Sequence, residues 1–153
     1  MQIRLIAVDK IRSPQAAATC AELRKRFAPY YPYEELEVRA GNGKNAAEAM
    51  RDESERVMRH LRPDDRVWLL ERTGTQLSSE ALAKRLDAVA HAGASRLTFV
   101  VAGTFGSDAA LVERAEFLWS LSDLTFLHEW ARMIVLEQLY RAAKILRNEP
   151  YHH

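Results

Sequence analysis

Three glycine-bearing segments and one polar loop contain the residues whose types and spacing suit ligand chemistry. Gly41-Asn42-Gly43-Lys44-Asn45-Ala46 follows a strand-like run and opens a helix-like one. It matches the loose dinucleotide-binding pattern G-x-G-x-x-G/A, with Glu71 at the end of the next strand as a ribose acceptor. Two features count against a nicotinamide site: the motif sits on the second strand-helix unit, and Lys44 with Asn45 makes a positive turn equally suited to an RNA phosphate. A plain turn is the third reading. Leu70-Glu71-Arg72-Thr73-Gly74 and Ala102-Gly103-Thr104-Phe105-Gly106 each leave the C-terminal end of an apolar run, where an open parallel sheet binds its ligand. Glycine lets the backbone approach closely there and offer N–H and C=O groups to an adenine edge, although a bare glycine loop is equally a simple turn. Ser120 to Phe126, small and polar between two helix-like stretches, is positioned to complete a pocket beside these loops.

Other chemistries lack support. His60 and His91 stand alone on helices, and His152-His153 ends the chain without ligands at a fixed spacing, so no metal site is expected. No G-x-S-x-G elbow is present for a hydrolase. Cys20 is the single cysteine, which excludes a disulfide framework within one chain and fits a small core residue in a reducing cytosol.

The elements that hold these loops alternate between strand and helix. Gln2 to Val8 alternates Ile3, Leu5 and Ala7 against second-face residues, and Ser13-Pro14 supplies a cap and first-turn proline for a helix to about Phe27. A strand over Glu35 to Ala40 is followed by a charged amphipathic helix from about Asn45 to Leu61, stopped by Pro63. Arg66 to Glu71 reads as a buried strand, Ser78 or Ser79 caps the next helix, and Gly93 sits where its C-terminal cap belongs. Arg96 to Ala102 is the most continuously apolar strand, as at the centre of a parallel sheet covered on both faces. A helix is expected from Gly106 to about Trp119, and a long one from about Glu129 to Arg147. This predicts an α/β fold, a mostly parallel sheet with helices on both faces.

In the last helix Glu137, Arg141, Lys144 and Asn148 make one narrow polar stripe, and apolar residues cover most of the rest. A face that broad is expected to pack on the sheet and on a second copy of the chain, with burial inside one chain as the alternative. With 153 residues the chain fits a single domain over 1–153, so one domain or two copies must do everything. The net charge of +1 excludes a histone-like polycation but permits a local basic patch. No apolar run approaches the ~20 residues of a membrane span and no signal-like start is present, so a soluble, cytoplasmic protein without a membrane partner is expected.

The stretch Ser120-Leu-Ser-Asp-Leu-Thr-Phe-Leu-His128, continuing through Arg132 and Glu137-Gln-Leu-Tyr-Arg-Ala142 to Pro150-Tyr151-His152, closely resembles the C-terminal signature of the ribosomal RNA large-subunit methyltransferase H family, within the SPOUT superfamily. The resemblance covers essentially the full length, with supporting matches at Ile3 to Val8, Ala40 to Asn45, and Leu70 to Glu80. It implies methyl transfer from S-adenosylmethionine to N3 of a pseudouridine in 23S rRNA of assembled ribosomes, by a homodimer whose C-terminal part forms a deep trefoil knot. It also implies that Leu70, Gly103 and the run Ser122, Asp123, Leu124, Thr125, Phe126 and Leu127 line the cofactor pocket. Arg141, Tyr151 and His152 would face the substrate, partly across the dimer interface.

A guanidinium stays charged and makes two parallel hydrogen bonds, so Arg141 suits stabilisation of a deprotonated uracil ring, against the simpler reading of a Glu137 to Arg141 helix pair. Tyr151 suits stacking on a base or a plain terminal anchor, and His128 suits a helix cap rather than chemistry. Two departures stand out. The family pattern of two glycines, a proline, an acid and a glycine is Ala102-Gly103-Thr104-Phe105-Gly106 here, and the proline before the histidine is Leu127. Both change the expected pocket wall. Another RNA as substrate, or a non-catalytic RNA- or ribosome-binding module, are the alternative functions.

Overall fold

The computed structural model describes residues 1–150. The chain runs β1 (Gln2–Val8), α1 (Pro14–Phe27), β2 (Tyr33–Val38), α2 (Ala46–Met58), β3 (Arg66–Gln76), α3 (Ser79–His91), β4 (Arg96–Val101), α4 (Ala109–Arg114), β5 (Phe117–Ser120) and α5 (His128–Leu146). The five strands form one sheet in the order β2-β1-β4-β3-β5, every pair parallel. Helix starts follow local chemistry: Ser13, Asn45, Ser78 and Asp108 each accept a backbone N–H three residues on, at 2.9 to 3.2 Å. Gly93, at φ 78°, ends α3 in the left-handed conformation that a side chain disfavours.

Strand alternation divides the core into two layers. Ile3, Leu5, Trp68 and Phe99 pack with Phe27 of α1, Leu86 of α3, and Val135 and Leu139 of α5. On the other face Ile6, Val8, Leu69 and Val100 pack with Val57 of α2 and Leu111 of α4. All six residues of β4 are buried, as a central strand covered on both faces requires. At its start the buried Arg96 donates to both oxygens of the buried Asp65, at 2.7 and 2.8 Å.

Two expectations need correction. The stretch after Gly106 is not one helix to Trp119: α4 ends at Arg114, and Phe117 to Ser120 form the edge strand β5 beside β3. β3 also continues beyond Glu71. Trp119 pairs with both Leu70 and Thr75, so the intervening residues bulge out of the sheet. Smaller shifts put β2 two residues earlier than expected and end α2 at Met58.

The apolar breadth of α5 is largely used within the chain, against the sheet, α1 and α3. Its first turns are also tied by charge. Glu129 accepts the N–H groups of Arg12 (2.7 Å) and Ser13 (3.2 Å). Arg132, 1% exposed on the face otherwise apolar, donates to the Asp9 carbonyl (3.2 Å), to Glu37 (2.8 Å) and to Glu35. Burial pushes the Glu35 carboxyl up, but hydrogen bonds from Arg132 and Arg24 outweigh it and hold the group below the usual range. The first turns of α5 are therefore held to the segment after β1 and to β2 by residues 95 to 123 positions apart in sequence.

Candidate functional site

The loops after β3, β4 and β5 converge on one cleft of about 550 Å3 at the C-terminal edge of the sheet. From β3 come Leu70, Glu71 and Arg72, carried outward by the bulge. Gly74 allows that excursion to close, because a Cβ there would stand 2.4 Å from the Leu118 carbonyl oxygen. From β4 come Val101 to Gly106. The Gly106 N–H donates to the Gly103 carbonyl at 3.1 Å, and Gly106 takes φ 82° to close this tight turn. From β5 and its loop come Trp119, Leu121, Ser122, Leu124, Thr125, Phe126 and Leu127, with His128 and Ala131 of α5 beyond.

The third loop is braced by its own small polar residues. Buried Ser120 donates its hydroxyl to the Ser122 carbonyl (3.1 Å), and the Ser122 hydroxyl oxygen accepts from the Leu124 N–H (3.1 Å). Its rim is apolar and open: Leu124 is 71% and Leu127 69% exposed, and Phe105, which lines the same cleft, is 53% exposed. The walls therefore combine apolar surface, backbone polar groups from three loops, and the charged pair of residues Glu71 and Arg72, a composition that suits a flat heteroaromatic group with a polar tail.

Of the residues expected to bind a cofactor, Leu70, Gly103, Ser122, Leu124, Thr125, Phe126 and Leu127 line this cleft. Asp123 does not; its carboxyl accepts from Gln76 Nε2 at 2.8 Å. Arg141 is elsewhere, on α5, where it donates to Glu137 through Nε (3.0 Å) and Nη2 (2.5 Å). It lies 13 residues beyond His128, roughly 20 Å along the helix axis. Tyr151 and His152 lie outside the described residues.

Sequence reasoning missed Trp119 and set His128 aside. His128 does not cap α5: Leu127 is the N-cap and makes no side-chain cap bond, while the His128 Nε2 is buried, without a hydrogen-bond partner, in a residue that lines the cleft. The signal for Trp119 was available, since Phe117-Leu118-Trp119 is a short apolar run directly before a small polar loop, as strands that feed ligand loops are.

The Gly41 to Ala46 turn is not a dinucleotide cradle. It lies outside the cleft lining, and its glycines serve close packing: a Cβ at Gly41 would stand 2.5 Å from the Ala49 carbonyl oxygen, and one at Gly43 2.3 Å from the Ala49 nitrogen. The start of α2 is capped internally, with Asn45 accepting from the Glu48 N–H (3.0 Å) and Glu48 from the Lys44 N–H (2.9 Å). Among the described residues no cluster of His, Cys, Asp and Glu could hold a metal ion, and no helix is long and apolar enough to cross a membrane. Cys20 is buried, and burial pushes its thiol up.

Comparison with known proteins agrees with this geometry. Residues 1–152 match a family described as "Predicted SPOUT methyltransferase". Curated relatives called ribosomal RNA large subunit methyltransferase H include that of Acetivibrio thermocellus, 37% identical over 99% of both chains. That of Rubrobacter xylanophilus is 40% identical over 97% of this chain and 96% of its own. That of Gloeobacter violaceus is 39% identical over 100% of this chain and 99% of its own. A parallel five-stranded α/β sheet, three loops meeting at its C-terminal edge, and a family match across nearly the whole length lead to one assignment: this chain belongs to the SPOUT methyltransferase family.

Proposed function

We propose that this chain is a cytoplasmic, single-domain S-adenosylmethionine-dependent methyltransferase that modifies N3 of a pseudouridine in 23S rRNA of assembled ribosomes. The observation that carries the cofactor reading is the convergence of the three loops after β3, β4 and β5 on one cleft. The residues present fit S-adenosylmethionine. The cleft volume is within the ~300–1,000 Å3 of small-molecule sites, its walls are apolar with backbone donors and acceptors, and His128 presents a buried nitrogen still lacking a partner. Leu70, Gly103 and the Ser122 to Leu127 loop hold the cofactor. When bound, it supplies a methyl group already activated by sulfonium charge.

What the chain must add is alignment and a deprotonated acceptor nitrogen. The braced 120–124 turn gives a fixed wall that orients a ligand, the Gly103–Gly106 turn lies against it, and the apolar rim of Phe105, Leu124 and Leu127 excludes water once covered. Arg141 stabilises the uracil anion through its carbonyl oxygens, and Tyr151 and His152 face the substrate. At roughly 20 Å from His128, Arg141 does not reach the cleft of its own chain. It acts in the cleft of a second copy, which makes the enzyme a homodimer. The exposed rim, together with Trp130 at 54%, is the surface that the second copy covers.

The reading includes a C-terminal trefoil knot. That part of the reading rests on the resemblance to the SPOUT superfamily and on the family match. The ribosomal target rests on the names of the relatives. The test is incubation with labelled S-adenosylmethionine and ribosomes lacking the modification, with separated subunits and tRNA alongside. Label at the pseudouridine of assembled ribosomes supports the proposal. Label in tRNA alone moves the substrate to another RNA, and no label with a folded dimer indicates a binding module whose Ala102 to Gly106 loop no longer supports transfer.

A further inference from the structure

Glu53 of α2 is 5% exposed and sits behind the cleft without lining it. Its Oε1 accepts the Gly41 N–H at 2.9 Å, whereas its Oε2 is buried with no hydrogen-bond partner. That second oxygen lies under Gly103: a Cβ added there would stand 2.4 Å from Oε2 and 3.0 Å from Val8 Cγ1. The next residue, Ser54, is also buried and accepts the Asp108 N–H at 3.0 Å. Two successive residues of α2 thus meet the two ends of the segment from Gly103 to Asp108, and Glu53 also holds the turn that carries Lys44. An unpaired carboxyl oxygen in the interior is costly, and this one lies directly against the backbone of the loop at Gly103.

We propose that Glu53 is a positioning residue of the methyl-transfer site: its Oε1 holds the Gly41 turn while its Oε2 takes a backbone N–H from the Gly103 to Phe105 stretch when that loop closes on the cofactor, so that turn and loop move as one unit. The inference rests on the cofactor reading above. It makes the Gly41 to Asn45 turn, which carries Lys44 outside the cleft, responsive to cofactor occupancy, and so links a turn that can meet RNA phosphate to the state of the methyl donor.

The test uses the full chain and S-adenosylmethionine itself. In the unsubstituted protein, hydrogen exchange should slow on cofactor addition at the amides of residues 41–45 as well as 102–106. Glu53→Gln keeps an oxygen for the Gly41 N–H but turns an NH2 group toward the loop. Its cofactor Kd should rise about tenfold by calorimetry, with protection at 41–45 lost and the melting temperature nearly unchanged. A purely structural role would lower the melting temperature and leave Kd alone. Glu53→Gln binding within about twofold of the parent, or cofactor protection confined to 102–106 in the parent, overturns the proposal. The exchange measurement on the parent needs no variant to fold. A parent chain that binds no S-adenosylmethionine refutes the cofactor reading itself, and this inference with it.

Discussion

Replacing Arg132 by methionine tests whether the buried charge cluster holds α5, and with it the third cleft loop, in place. The guanidinium is 1% exposed and meets the Asp9 carbonyl, Glu37 and Glu35. Methionine retains most of the apolar stem but leaves Glu35, 9% exposed at its side chain, with Arg24 as its remaining charged partner (2.7 Å). Removing one member of a buried pair costs ~3–5 kcal/mol. Three features set the value at the low end: Glu35 keeps Arg24, Glu37 is 44% exposed and screened, and the unpartnered Arg132 Nε disappears with the substitution. The expected loss is about 3 kcal/mol, or roughly 6–12 °C in melting temperature for a domain of this length. Urea unfolding followed by tryptophan fluorescence at fixed protein concentration measures it, because association shifts apparent stability. Adding Glu35→Gln removes the under-compensated carboxylate, while Arg24 is exposed enough to be solvated, so the double variant should recover about 1–2 kcal/mol. A single variant within about 1 kcal/mol of the parent, or a double variant less stable than the single, refutes the reasoning.

On the proposed reading, Arg141→Ala should keep self-association and cofactor binding but lose about a hundredfold or more in methyl transfer to ribosomes; full activity removes Arg141 from the proposed mechanism. Burial pushes Asp65 up, yet hydrogen bonds from Arg96 and the Arg62 backbone leave it net below its ordinary value, as Arg132 and Arg24 leave Glu35. Groups depressed in the folded state contribute stability above their unfolded values of about 4, and that contribution is lost as pH falls through the folded values. The urea midpoint should therefore change little between about pH 7 and 5 and fall below about 4, more steeply than in Asp65→Asn; a midpoint unchanged down to pH 3 contradicts this. Asn45→Ala should cost about 1 kcal/mol in urea unfolding by depriving the Glu48 N–H of its acceptor, and no loss would show that water replaces the cap.

Sequence reading captured what is local. Ser13-Pro14 and Gly93 marked helix ends, β1 and β4 carried their alternation or continuous burial, and the three cleft loops were legible from glycine and small polar residues after apolar runs. It failed where structure is imposed from a distance. Four residues of β5 look like the end of a helix until their pairing with β3, about 48 residues earlier, is known. Arg132 gives no local sign of burial because Glu35 and Glu37 lie almost a hundred residues upstream. Glu53 is hidden in a charged run, Asp52 to Arg56, that reads as a solvated face. His128 was ambiguous between cap and cleft because only the path of the preceding loop decides which way its ring turns.

The sheet has two free edges, and they bear on how this molecule behaves when crowded. β2 carries Glu34, Glu35 and Glu37 among its six residues, tied to Arg4, Arg24 and Arg132, so a neighbouring strand would have to lie against charged side chains already committed to ion pairs. β5 offers only four residues, too short a template for a foreign strand to extend. Neither edge invites continuation of the sheet from one molecule into the next, so open-ended β-polymerisation is disfavoured at concentrations where the exposed apolar rim still favours contact. Self-recognition is left to helix and loop surfaces, where an isologous contact closes into a discrete complex rather than growing into a fibre.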